Sequence, residues 1–124
     1  MGYMLIAEGH GSYDPENDTS RIGDIEVPGD RMGVNILLSA FAACISKKVS
    51  TILGIGEGIV EVRIEAYTSI DTLSRGEEPF MEKFVVHIVV PKGYEAGEVR
   101  EAAKKCPGLR LIIDKVEDIV VAES

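Results

Sequence analysis

The chain of 124 residues carries two thiols, Cys44 and Cys106, and these are its strongest candidates for chemistry. Reduction of a peroxide by cysteine requires a thiolate at the attacking position, because the thiolate and not the thiol is the nucleophile. A second thiol must lie within reach, since attack leaves a sulfenic acid that over-oxidises unless a resolving cysteine condenses with it. The two cysteines sit in different local settings. Cys44 has Lys47 and Lys48 one helical turn on, at the positions that share its face, where positive charge favours the thiolate. It stands too far into its helix to gain from the N-terminal dipole, which fades within the first turn. A further cation is therefore expected from the preceding segment, Arg31 or Arg21. A guanidinium there would ionise a thiol whose ordinary pKa is about 8.5 and would orient the peroxide oxygens. Cys106 is expected at the C-terminal end of a helix, whose negative dipole suits a resolving thiol better than an attacking one. The plainer alternative is that both are small buried apolar residues.

Between Arg31 and Lys47 no charged side chain interrupts the sequence, and the Leu, Ala and Phe content of Gly33 to Leu53 predicts a helix buried on most sides, ending at Gly54. The glycines at 54, 56 and 58 follow a helix and precede a strand, the reverse of the order that aims a helix N-terminus at a pyrophosphate, so they read as a turn. Before the helix, Tyr3 to Glu8 and Asp24 to Val27 read as short strands, and Gly9 to Ser20 as a loop or wide hairpin. After it, Val60, Val62, Ile64 and Ala66 alternate with Glu61, Arg63, Glu65 and Tyr67, and a second alternating run covers Phe80 to Val90. These two strands should pair antiparallel across a polar turn at Ser69 to Pro79. Glu95 to Lys105 reads as a helix stopped by Pro107, Leu109 to Lys115 as a further helical turn or two, and Asp118 to Ala122 as a closing strand. The expectation is one α+β domain over residues 1–124, an antiparallel sheet packed on a buried central helix.

The formal net charge of −8 argues against a nucleic-acid partner, which needs a basic face to displace counterions. Met1 to Ala7 lacks the features of a signal peptide, and the charge-free run is shorter than the roughly 20 residues of a membrane span, so a cytoplasmic protein without a membrane partner is expected. In that reducing compartment, free or reactive cysteines are commoner than structural disulfides. A domain this small leaves an apolar helix short of cover, and a partner subunit could supply it.

The run from Asn35 to Cys44, Asn-Ile-Leu-Leu-Ser-Ala-Phe-Ala-Ala-Cys, followed later by Glu98 to Pro107, Glu-Val-Arg-Glu-Ala-Ala-Lys-Lys-Cys-Pro, resembles the OsmC/Ohr family, with its apolar "LL-x-A-x-A-x-C" helix and its "A-x-x-CP" helix end. The order of elements from Gly33 onward is similar as well. The resemblance implies an intertwined OsmC-like homodimer with thiol sites at the subunit interface. It implies thiol-dependent reduction of organic hydroperoxides, in which Cys44 attacks, Cys106 resolves, and a dithiol such as a lipoyl group, or a small thiol, regenerates the pair without any bound cofactor. Peroxidase members carry an acid nine or ten positions before the reactive cysteine to hold the catalytic arginine; here those positions are Asn35 and Val34. The family's arginine comes from a Gly-rich segment matched by Gly9-His10-Gly11, which offers His10 instead. His10 then reads as exposed loop, as a base beside the thiol or as a metal ligand, and His87 as structural or exposed. The two Cys and two His lack the close spacing of a zinc site, so no metal is expected. A second class of function is a dimer of the same fold that binds a small molecule without peroxidase activity.

Overall fold

The computed structural model describes residues 2–23 and 32–124. In chain order the elements are strands β1 (Tyr3–Asp14) and β2 (Thr19–Ile22), helix α1 (Met32–Leu53), strand β3 (Val60–Ser69), the short helix α2 (Ile70–Ser74), strand β4 (Lys83–Val90), helices α3 (Ala96–Lys104) and α4 (Pro107–Ile112), a 3-10 turn (Ile113–Lys115) and strand β5 (Val116–Glu123). The proposed strand at Asp24 to Val27 lies outside the described residues, as does Arg31.

The fold is α+β, with a mixed five-stranded sheet in the order β2-β1-β3-β4-β5. β1 pairs antiparallel with β2 and β3, and β3 pairs antiparallel with β4 as its alternation predicts, but β5 runs parallel to β4. The expectation of an all-antiparallel sheet is corrected there. A tight turn can only reverse the chain, whereas α3 and α4 fill the connection from β4 to β5 and return it as a crossover.

One face of the sheet is the core. Val60, Val62, Ile64, Ala66 and Thr68 of β3 and Phe84, Val86, Ile88 and Val90 of β4 are buried, with the intervening residues turned outward. Helix α3 adds Val99, Ala102 and Ala103, a stripe at helical spacing, and Arg100 ties it to β5 by donating from Nε to the Ile119 carbonyl at 2.9 Å. Helix α1 contributes Leu38, Ala42, Ile45 and Val49 to the same cluster. It stops where Gly54 adopts φ +66°, a left-handed conformation that costs glycine little, and the Ile55 N–H closes back on the Ser50 carbonyl at 2.9 Å.

Of the two readings of the glycine-rich segment, loop or wide hairpin, the hairpin holds: β1 runs to Asp14 and pairs antiparallel with β2 from Thr19. Gly9 and Gly11 are the residues of β1 that face α1, and there the helix backbone lies directly on the strand: a β-carbon at Gly11 would stand 2.7 Å from the Ala42 carbonyl carbon and the Ala43 Cα, and closer still to the Ala43 nitrogen. β2 covers β1 only from Gly11 onward, so the outward N–H groups of Glu8 and His10 would otherwise be unpaired. They donate to the Asn35 side-chain oxygen at 3.2 Å and to Ser39 Oγ at 3.1 Å, so α1 closes the strand edge.

The polar stretch after β3 holds α2, which its sequence did not announce. Ser69 caps it, its Oγ accepting from the Thr72 N–H at 3.2 Å. Glu82 then fastens the segment by accepting from the Ser69 N–H and from the Thr68 and Thr72 hydroxyls, each of the last two at 3.1 Å. The Ser69 N–H bond, with the hydroxyl bonds behind it, holds the Glu82 carboxyl below its ordinary range against the opposing effect of burial. A depressed folded-state pKa stabilises above the unfolded-state value, about 4.3, and that contribution disappears as pH falls through the folded value. Urea midpoints should accordingly drop below about pH 4 in the wild type. Glu82→Gln should be less stable than wild type at pH 7 and show a flatter acid limb.

Candidate functional site

Helix α1 is less covered than its composition suggests. Leu38, Ala42, Ile45 and Val49 face the sheet, but Ile36, Leu37 and Ile52 are 42%, 47% and 41% exposed. The residues between them on that side are Ala40, Phe41, Cys44 and Lys48, so an apolar stripe with a thiol at its centre faces outward. The expectation of a helix buried on most sides is corrected: the sheet covers one side, and among the described residues Ile36, Leu37, Cys44 and Ile52 on the other stay exposed. The segment Val34–Leu53 also has the length and mean hydropathy, 1.6, of a membrane span, with 44% of the window buried in the fold. The expectation that it was too short counted only the charge-free run before Lys47 and missed the apolar turns beyond Lys48.

Cys44 is exposed and Cys106 buried, and neither forms a disulfide. Cys106 occupies a junction. Its N–H donates to the Ala103 carbonyl at 3.0 Å, closing α3, while its own carbonyl accepts from the Arg110 N–H at 3.0 Å, opening α4. Pro107 ends the first helix as expected and also stands at the first position of the second, where its missing N–H costs nothing. Cys106 is thus the N-cap of α4 as well as the residue that follows the α3 C-cap, Lys105, so the purely C-terminal setting inferred from sequence is corrected. Gly108 presses on Phe41: a β-carbon there would lie 3.0 Å from the ring. Phe41 is one turn before Cys44, so the Cys106 segment packs against α1 beside the exposed stripe. Sequence reasoning missed this contact; the glycine after Cys106-Pro107 was its only sign.

The cations divide. Lys47 leans over the Tyr13 ring, 5.8 Å from its centre, and Tyr13 donates to Asp18 at 2.5 Å. That hydrogen bond, with some burial, raises the Tyr13 pKa. Lys48 lies on the Cys44 side and is half-buried. Arg21 stands opposite Ser12 in the β1–β2 ladder and shares a cleft with His10, Glu61 and Arg63, on the sheet face away from α1. Within one chain Arg21 and Cys44 are therefore on opposite sides of the sheet, which corrects the expectation that Arg21 reaches the thiol. The same alternation that presses Gly9 and Gly11 on α1 turns His10 outward to Glu8, 2.6 Å away, so His10 is no base for Cys44. Asn35, at a position where the resembling family uses an acid, is occupied with the β1 edge.

Chemically, the arrangement offers an accessible thiol on an apolar, partly cationic stripe, with a second, water-shielded thiol in the segment beside it. No family model, no curated protein and no solved structure matches the chain.

Proposed function

We propose that the protein is a thiol-dependent hydroperoxide reductase of the OsmC/Ohr type, acting in a reducing cytoplasm as a homodimer. The observation that carries this reading is the exposed Cys44 at the centre of the outward stripe of α1, with the Cys106 junction packed one turn away against Phe41. The Cys44 thiolate attacks the terminal oxygen of an alkyl hydroperoxide. The O–O bond breaks, the alkoxide takes a proton and leaves as alcohol, and Cys44 becomes a sulfenic acid. The Cys106 thiol then attacks that sulfur, expelling water and forming a disulfide. A dithiol reductant restores both thiols by exchange and leaves as its own disulfide. Lys48 supplies positive charge on the Cys44 face, and a second copy seated on the stripe would exclude water from the reacting thiol.

Turnover of an alkyl hydroperoxide with a lipoyl-type dithiol tests the reading. Cys44→Ser should lose at least about a hundredfold in rate, because the thiolate is the attacking species and a serine hydroxyl supplies neither that nucleophile nor a sulfur that can be oxidised. Equal and negligible rates for wild type and variant with every dithiol and small thiol would exclude it. The dimer has its own test. Burial of exposed Leu and Ile side chains contributes about 1.5–3 kcal/mol each, so Leu37→Glu should shift the protein from dimer to monomer in sedimentation while leaving its thermal unfolding cooperative.

A second reading is a dimer of this fold that binds a small molecule and performs no redox step. The placement of Arg21 across the sheet and the structural use of Asn35 favour it. Thiols that remain titratable after excess peroxide, together with a ligand bound at the α1 stripe, would select it.

A further inference from the structure

The described residues leave the sheet face opposite α1 uncovered, and its centre is a cleft of about 820 Å³, within the size range of small-molecule sites. Strand register builds it in rows. His10, Arg63, His87 and Val120 stand side by side across β1, β3, β4 and β5, and the next row is Ser12, Glu61, Val89 and Ala122, with Arg21 beyond Ser12. The β1–β3 half of the cleft is thus polar and the β4–β5 half apolar.

The row beside it fixes the polar groups. Glu8 Oε1 is 2.6 Å from His10 Nε2 and Glu65 Oε1 is 2.6 Å from His87 Nε2, so both carboxylates are engaged by histidines. The Tyr67 hydroxyl also donates to Glu65, at 3.1 Å. Burial pushes the Glu65 carboxyl up, and the bonds from His87 and Tyr67 outweigh it and keep it ionised. Arg63 lies between the two pairs and its Nε makes a long ion pair to each, 3.9 Å to Glu8 and 3.7 Å to Glu65, both beyond hydrogen-bond length. That nitrogen is shielded from solvent and makes no hydrogen bond among the described residues. A shielded donor without a hydrogen bond is costly, and the guanidinium, whose side chain is 42% exposed, can still meet a carboxylate from the cleft through its terminal nitrogens. The cation also keeps metal ions out of the cluster, and among the described residues no three ligands converge on a metal position.

We propose that this cleft binds a small monocarboxylate with an apolar body, the carboxylate on Arg63 between His10 and His87 and the body across Val89, Val120 and Ala122. Glu61, in the adjoining row, repels a dianion such as phosphate about twice as strongly as a single negative charge. The site is separate from the thiol stripe, lies on the other side of the sheet, and stands whether or not the thiols react with peroxide.

Octanoate titrated into the full-length protein, followed by amide chemical shifts, is the test. Saturable shifts are expected at outward positions of β3, β4 and β5, with 1-octanol and octylammonium binding at least roughly tenfold more weakly because neither supplies the anion. Arg63→Met should weaken octanoate by a similar factor. Val120→Glu, which alters only an exposed position and leaves the core intact, should do the same by placing a like charge in the apolar half. No saturable shift up to millimolar octanoate, equal binding of the three probes, or undiminished binding by a folded Val120→Glu protein would each overturn the proposal.

Discussion

Gly11→Ala should be among the most damaging conservative substitutions at the described residues, costing at least about 3 kcal/mol, the upper end of the overpacking range. An added methyl would meet backbone, namely the Ala42 carbonyl carbon and the Ala43 Cα at 2.7 Å, and backbone inside a helix cannot rotate away as a side chain can. Gly9 makes the same demand one pair along the strand, where the new carbon would stand 2.5 Å from Leu38 Cβ and closer to the helix backbone. With total stabilities of about 5–15 kcal/mol, a loss of this size is a large fraction of the whole. The only relief is to push α1 off β1, which also moves Cys44, the residue after Ala43. Urea denaturation of Gly11→Ala should show a sharply lowered midpoint. Gly56→Ala should match wild type, since a β-carbon at Gly56 meets nothing within 4 Å.

Cys106→Ser should separate the first half of the proposed reaction from the second. The variant keeps Cys44, so a single equivalent of hydroperoxide should still yield its alcohol. Without the resolving thiol the sulfenic acid persists, and a second equivalent should drive Cys44 to the sulfinic acid, two oxygens heavier by mass spectrometry and not restored by dithiol. Steady-state turnover should fall at least about tenfold and decline with each cycle. Cys106 is 1% exposed, and Phe41 and Gly108 form the packing contact between its segment and α1. Unfolding midpoints of the reduced variant serve as the control, since serine in a buried thiol position loses some packing.

Several elements were legible in the sequence because one local rule decided them. The apolar run to Leu53 with Gly54 behind it marks the end of α1, and the alternation of Val60 to Ala66 marks both β3 and its buried face. The parallel pairing of β5 was not legible, since the strand's own residues carry no direction and the crossover through α3 and α4 sets it. Gly9 and Gly11 read as turn residues because glycine in a strand is unusual; their reason lies in α1, about thirty residues on. The site was legible in its thiols and not in its cations. Which face Arg21 occupies depends on its register against Ser12, and a shift of one residue would have sent it to the other side of the sheet. The exposed stripe of α1 was hidden for a related reason, since an apolar helix packed on one sheet and one shared by two sheets have the same composition.

The central claim is that Cys44 and Cys106 form one redox pair, and thiol counting after a single equivalent of alkyl hydroperoxide tests it most directly. The account predicts one alcohol released per chain, both thiols lost to titration, a Cys44–Cys106 disulfide in the peptide map, and full recovery of both thiols with dithiol. Two thiols per chain still titrating after excess hydroperoxide would contradict it.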